Sequence, residues 1–587
     1  GEGGIFALYS LVSKCKKWLI IPAMIGGAAL LADGILTPAV TVTTAIEGLR
    51  SIDLFSDFIG ASHWRVIVIT LIIISFLFML QHAGTNKIGK AFGPIMVIWF
   101  LLLGISGAIN MFTDLSVLRA FNPLRGIQIL FSPANKTGLM LLGCVFLSTT
   151  GAEALYSDMG HVGRLNIYGS WPFVKICLIL NYLGQGAWLI AQYKNSALYT
   201  IEDINPFFQM FPENMRIYAV IISTVAAIIA SQALISGSFT LVSEAISLDL
   251  MPHLKIMYPS KAKSQIYIPL VNNILWISCI GVVLYFKTSA RMEAAYGLSI
   301  TITMLMTTLL LYMYLCANKK SNSVIRLLFL VLFGGIKAIF LYSSLTKFTH
   351  GGYVAVLLAL ILLSIMITWN KGTEIERSQS IKYKLSDFVS TLRELKDDDN
   401  IPLFSDNLVY LTPDYKNDLI DRDILYSILD KQPKRAQTYW FISVTVTDAP
   451  HTGKYRVETF GTDFIFRVHL LLGYNESQRI NVYLRQIISD LFETGEMLPH
   501  KHVYSIYKNR QVGNFCFCFL RKQVSQESDL SPLDITIMRF KYAIRRLAGS
   551  PMKWYGLETS LTAIEYVPLF VKTKQIEVCH KLKRVKS

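Results

Sequence analysis

The chain has 587 residues, 52% apolar and only 16% charged, with a mean hydropathy of +0.43; it is too long for one compact soluble domain and too apolar for an ordinary one. A net charge of +16 would suit nucleic acid, but most of the excess lies in short loops between apolar runs, where it sets membrane topology, so nucleic acid is excluded as the main partner. The charge density divides near Lys371. Residues 1–370 hold 24 Lys and Arg against 14 Asp and Glu, a net +10, and residues 371–587 hold 32 against 26, a net +6. This predicts a membrane part over 1–370 and a soluble part over 371–587.

The opening GEGGIFALYS has neither an initiator Met nor a signal peptide, and reads as an internal segment of a longer protein. Ten apolar runs of about 18 or more residues are long enough to cross a bilayer as helices. They lie near 19–47, 64–81, 92–110, 137–157, 171–191, 217–247, 268–286, 293–316, 324–342 and 352–369. An even number returns both ends to one side. That side carries Lys14, Lys16, Lys17, Lys87, Lys90 and Arg164 among others, so the positive-inside rule makes it, and the tail, cytoplasmic.

Ionisable residues inside such runs are expensive and need a reason. In GGAALLADGILTPAVTVTTAIEG, Asp33, Thr37 and Thr41 recur every four residues and share one helix face. Pro38 removes the backbone bond to the Gly34 carbonyl, leaving that oxygen free near the carboxylate. An all-oxygen set of this kind suits a dehydrated hard cation. The competing reading has the threonines bonding back onto their own helix and Asp33 paired with a distant Lys or Arg. The second carboxylate is Glu153 in FLSTTGAEALYSDMGHVGR, with Thr150 three residues before it and Tyr156 three after. Desolvation disfavours the charged form of a buried carboxyl, so this one can exchange a proton near neutral pH; the alternative is a Glu at the membrane surface. Asp158 and His161 read as a cytoplasmic turn.

Further along, NYLGQGAW and SQALISGSF place small residues at close spacing, which predicts tight helix packing. Tyr296 in AAYGLSITITM either lends its phenol to a central site or is an interfacial tyrosine. Lys175 and Lys337 are expected to snorkel to the headgroups. From Ile381 the pattern becomes that of an α/β domain: TYWFISVTVTD and FGTDFIFRVHLLLGY read as strands and NVYLRQIISDLFETG as a helix. The acidic run at 396–400 reads as a solvated loop. Cys516 and Cys518 fall on one face of a strand, and the eight scattered cysteines indicate neither a disulfide framework nor a metal cluster.

In order along the membrane part, GEGGIFALYSL, ADGILTPAVTVTTAIEGL, TTGAEALYSDMGHVGR, LNYLGQGA, IASQALISGSF, QIYIPLVN and AAYGLSIT closely resemble the Kup/HAK/KT family of potassium uptake permeases, and VTVTDAP resembles its soluble domain. The resemblance implies an α-helical polytopic membrane protein of the amino acid–polyamine–organocation type with a LeuT-like inverted repeat, followed by a cytosolic α/β domain. It implies potassium uptake coupled to protons across the cell membrane, with no cofactor beyond the transported ions. Carried over by position, it makes Asp33, Thr37, Thr41, Thr150 and Tyr296 potassium ligands and Glu153 the proton carrier. Many members have Glu where Asp33 stands, which changes reach and not charge. The family's two leading spans, with their Gly-Asp-x-Gly-Thr-Ser-Pro-Leu-Tyr segment, have no match here; the ten runs are expected to be spans three to twelve. Asp33, Thr37, Thr150 and Tyr296 are then expected to converge near mid-membrane, around a cavity lacking one wall.

An amino-acid or other cation permease of the same superfamily is the main rival. It would hold a substrate carboxylate on unwound half-helices, and the acidic Asp33 and Glu153 argue against that. A membrane-anchored sensor leaves those two residues unexplained. An enzyme is not expected, because no nucleophile, base and orienter set, phosphate loop or metal-ligand spacing stands out. For bacterial relatives a regulatory nucleotide on the tail is an expectation, although no Gly-rich phosphate loop marks one. Pairing of two chains through the cytosolic domain is another.

Overall fold

The computed structural model describes residues 4–52, 63–83, 86–133, 135, 138–148, 151, 163–194, 205–259, 265–318, 322–413, 418–447, 449–499, 512–524 and 530–569. It divides into two compact units, one comprising Gly1–Met251 with Ser264–Ile367 and the other Pro252–Lys263 with Thr368–Ser587.

The first unit is helical. A short helix α1 (Ile5–Val12) precedes α2 (Ile20–Glu47), α3 (His63–Leu80), α4 (Asn86–Met111), α5 (Arg164–Lys194), α6 (Glu213–Ser247), α7 (Pro269–Phe286), α8 (Ser289–Ala317), α9 (Ser323–Leu345) and α10 (Gly352–Gln379). Among the described residues, nine helices of 18 to 35 residues are long and apolar enough to cross a membrane. They fall on nine of the ten expected runs. In the tenth, 137–157, Leu141–Leu147 is helical, and the part bearing Thr150, Glu153 and Tyr156, with Asp158 and His161 beyond it, lies outside the described residues.

Most side chains of α2 are buried all the way round, as expected of a helix enclosed by others rather than facing lipid. Its packing is antiparallel to two neighbours. Against α8, Ser299 Oγ donates to the Ala29 carbonyl at 2.6 Å and Thr303 Oγ1 to the Gly26 carbonyl at 3.3 Å. The Glu47 carboxylate accepts from Ser289 N at 3.2 Å and from its hydroxyl. It thereby caps the first turn of α8, where negative charge complements the helix dipole. Against α6, a Cβ on Gly34 would overlap Ser238 Oγ, while seven residues onward Thr41 meets Ser231.

The expected small-residue packing in NYLGQGAW is also present. A Cβ on Gly184 would lie 2.6 Å from the Cα of Gly107, and one on Gly107 2.5 Å from the Cα of Asn181. There α4 and α5 touch backbone to backbone, and only glycine allows it.

The second unit carries β1 (Leu403–Leu411), β2 (Arg435–Thr447), β3 (Gly453–Glu458), β4 (Ile465–Gly473), β5 (Phe515–Gln523) and β6 (Thr562–Pro568), in spatial order β3-β4-β2-β1-β5-β6. Every neighbouring pair is parallel except β3 with β4. The inner strands are buried on both faces, which is why they read as continuous apolar runs. Tyr439, Phe441, Cys516 and Cys518 face one core, with α11 (Val389–Asp397) packed there. Trp440, Ile442, Phe466 and Phe517 face the other, with α12 (Ile480–Thr494). Both expected strands and the expected helix are therefore present. The acidic run is solvent-exposed as expected and 398–400 form a turn, but Lys396 and Asp397 end α11 and Asp399 forms an ion pair with Arg435.

Candidate functional site

In α2, Asp33 is 3% exposed and Thr37 is 4% exposed. Thr37 Oγ1 donates to Asp33 Oδ1 at 2.9 Å, one helical turn apart. A carboxylate taken out of water must be compensated, and this hydroxyl supplies one neutral donor. Pro38 sits inside the helix without breaking it, and its missing N–H leaves the Gly34 carbonyl without its usual intrahelical donor. The face thus offers a carboxylate, a hydroxyl and a carbonyl within two turns, the donor set of a hard cation.

Thr41 behaves differently. Its hydroxyl donates to the Thr37 carbonyl at 2.8 Å, and Thr44 likewise to Val40, the local back-bonding that Ser and Thr commonly make in helices. Thr41 Oγ1 also lies 3.1 Å from Ser231 Oγ on α6. Next to Ser231, Gln232 exchanges two amide hydrogen bonds with Gln81: Gln81 Nε2 donates to Gln232 Oε1, and Gln232 Nε2 to Gln81 Oε1 at 2.9 Å. All three side chains are buried.

Tyr296 lies on α8 and is half-buried. The Ser299–Ala29 and Thr303–Gly26 contacts set an antiparallel register that brings Tyr296, one turn before Ser299, level with Ala32 and Asp33. Thr150 and Glu153 lie outside the described residues, so their place relative to Asp33 is not part of this geometry.

Three features escaped the sequence reading. Ser231 and Ser238 are seven residues apart and face α2; their spacing marks one helix face, but a packing face and a ligand face look alike in sequence. Gln81 and Gln232 give no local signal as partners. Lys337 does not snorkel as expected: its Nζ donates to Thr308 Oγ1 at 2.6 Å and to the Met304 carbonyl at 3.4 Å, anchoring the ammonium on α8 just after a π-helical stretch, Leu330–Gly334.

In the second unit, the chain winds from β1 outward to β2 and β4, then returns to the other side of β1 for β5 and β6. In open α/β sheets such a reversal leaves a crevice at the carboxyl ends of the strands. A cavity of about 640 Å³ lies there, lined by Leu411, Arg521, Lys522 and Tyr566 from strand ends and by Arg545 and Arg546 from α13 (Pro532–Leu547). Lys522 pairs with Asp423 at 2.8 Å. Beside the cavity, Lys541 of α13 is 2% exposed and donates to Glu376 at 2.7 Å and Thr373 at 3.0 Å, both on α10. Burial pulls its ammonium below the ordinary lysine value, and Glu376 opposes that shift.

Residues 1–374 match the family described as the K+ potassium transporter integral membrane domain, and residues 405–573 match the K+ potassium transporter C-terminal domain. The chain belongs to this potassium transporter family. It is 54% identical over 571 residues to the probable potassium transport system protein Kup of Clostridium perfringens, covering 97% of this chain and 86% of that one. The protein of the same description from Enterococcus faecalis is also 54% identical over 571 residues, covering 97% of this chain and 85% of that one. That from Lacticaseibacillus casei is 50% identical over 587 residues, covering 100% of this chain and 86% of that one. Membership makes the chain an integral membrane transporter and not an enzyme.

Proposed function

We propose that this chain takes up potassium by secondary active transport as a potassium/proton symporter. The Asp33–Thr37 pair carries this reading, because a buried carboxylate with a hydroxyl at 2.9 Å, on a helix long enough to span a bilayer, fits a dehydrated cation and suits no anionic substrate group. Thr150 and Tyr296 complete the ligand set around Asp33 and Thr37, Thr41 meets the ion two turns further along the same helix face, and Glu153 loads and releases the proton. The transport domain covers 1–370 and has a LeuT-like inverted repeat. Residues 371–587 form a domain on the cytoplasmic side of the cell membrane, through which two chains pair. No cofactor is needed beyond potassium and protons. The relatives are described as potassium transport system proteins, which favours potassium over an amino acid. The test is rescue of potassium-starved growth by the intact gene, with rubidium and labelled amino-acid uptake followed while external pH is stepped. Amino-acid uptake without rubidium uptake would overturn the reading.

A second reading concerns the tail. The cavity at the strand reversal carries Arg521, Arg545 and Arg546, and guanidinium groups suit phosphate, so a regulatory nucleotide is proposed to bind there. Calorimetric titration of the purified protein with a nucleotide panel tests it; heat that persists unchanged in Arg545→Ala would count against this place.

A further inference from the structure

Helix α13 has an apolar face that the packing of its own domain does not use. Ser531 caps the helix, its hydroxyl accepting from Asp534 N at 3.2 Å, and Pro532 opens the first turn. Met538 and Lys541 are buried, and Arg545 lines the cavity beside the sheet. Leu533, Phe540 and Leu547 recur every seven residues, so they form one line along the helix, turned away from that packed side. They are 65%, 61% and 79% exposed. Among the described residues none covers them, and a continuous apolar line on a helix marks a surface for a partner or a membrane.

The depth of α13 follows from what it touches on α10. The part of α10 from Thr368 onward belongs to the same compact unit as α13. The apolar run of α10 ends at Trp369, with Asn370 and Lys371 next, and an aromatic residue at such a boundary marks the membrane interface. Lys541 Nζ lies 5.1 Å from the centroid of the Trp369 ring. Gly372 leaves room for the lysine stem, since a Cβ there would lie 2.6 Å from Lys541 Cδ, and the ammonium ends on Glu376 at 2.7 Å. From Trp369 to Glu376 the helix rises about 10 Å, and the headgroup region on one side of a bilayer is about 5–8 Å thick. The middle of α13, where Phe540 adjoins Lys541, is thereby held at headgroup depth.

We propose that α13 lies on the bilayer surface, with Leu533, Phe540 and Leu547 seated where headgroups meet acyl chains and with Arg539 and Arg546 on the phosphates of anionic phospholipid. Each arginine stands one residue before a member of the apolar line, so both flank it on the same side. Leu and Phe on one face with arginines beside them is the make-up of helices that lie in a membrane interface. Charge decides between lipid and protein: a second copy of α13 would bring the same arginines and not their complement, whereas the cytoplasmic leaflet is anionic. The choice of leaflet rests on the cytoplasmic placement of the tail proposed above.

The test uses the full-length protein in vesicles of phosphatidylcholine with and without phosphatidylglycerol, the same in both leaflets, so that neither the direction of the tail nor transport enters the result. The photo-crosslinking residue p-benzoylphenylalanine is introduced at Phe540 and, as a control, at Val482, which is 58% exposed on α12. Illumination is expected to give phospholipid adducts at position 540 and none above background at 482. Arg539→Gln is expected to lower the yield at 540 by up to about fivefold when phosphatidylglycerol is present and to leave it unchanged in phosphatidylcholine alone. Adducts between two chains in place of lipid would assign the face to a second copy, and a yield at 540 no higher than at 482 would leave it in water; either result overturns the proposal. Equal yields with and without phosphatidylglycerol overturn the anionic headgroup contact. If the variant at 540 fails to insert, the same residue at Leu547 reports the same line. Absence of rubidium uptake by the unaltered protein in these vesicles would instead count against the transport reading and leave the adducts as they are.

Discussion

Asp33→Asn removes one negative charge while keeping the shape that Thr37 binds. Because the carboxylate is 3% exposed, water screens it little. For unit charges about 4 Å apart, an effective dielectric near 20 gives an interaction of about 4 kcal/mol. At about 1.4 kcal/mol per tenfold, roughly a thousandfold in potassium affinity depends on that charge. Thr37→Val deletes a neutral ligand and the donor to Asp33 Oδ1; a hydrogen bond of net worth about 1 kcal/mol translates to about fivefold. Asp33→Glu keeps the charge and should retain measurable uptake. Initial rubidium influx over a wide concentration range, normalised to membrane-inserted protein by immunoblot, separates these cases. Half-saturation in Asp33→Asn within threefold of the unaltered protein would refute the charge argument, and a larger loss in Thr37→Val than in Asp33→Asn would refute the ranking.

Glu153→Gln should retain rubidium binding but lose acid-stimulated accumulation, because an amide cannot release a proton; accumulation that still rises as external pH falls would contradict the coupling role. In the tail, Lys434 is fully buried against Glu565 at 3.0 Å, so Lys434→Met leaves that carboxylate facing an apolar side chain and should cost about 3–5 kcal/mol, read as a lower denaturation midpoint of the tail; pairing it with Glu565→Gln should recover part of the loss. Gly184→Ala should cost about 1–3 kcal/mol through overpacking against the Gly107 backbone, and an unchanged thermal midpoint in detergent would mean that the contact relaxes freely.

The spans were legible because a run of apolar residues in lipid has few alternatives to a helix. The strands at 435–447 and 465–473 were legible from their β-branched and aromatic content. Asp33 and Thr37 were legible as a pair because helical spacing alone puts them one turn apart. Ser231 was not: its partner Thr41 is 190 residues away, and which of two small-residue helix faces meets α2 depends on packing register, which no local pattern encodes. Lys337 was misread for a related reason, since its acceptors, Thr308 and Met304, lie on another helix. The acidic run at 396–400 was legible in its exposure but not in its pairing with Arg435, which required the position of β2.

The backbone contact between Gly107 and Gly184 restricts motion. Where two helices meet with no side chain between them, attraction at short range is lost on the slightest separation, and there is no soft layer to shear. Helices α4 and α5 are thereby expected to travel as one rigid body through the transport cycle, with the flexing confined to segments outside them. Spin labels placed on the two helices away from this crossing should give a single interhelical distance with and without potassium, whichever way the rest of the bundle rocks.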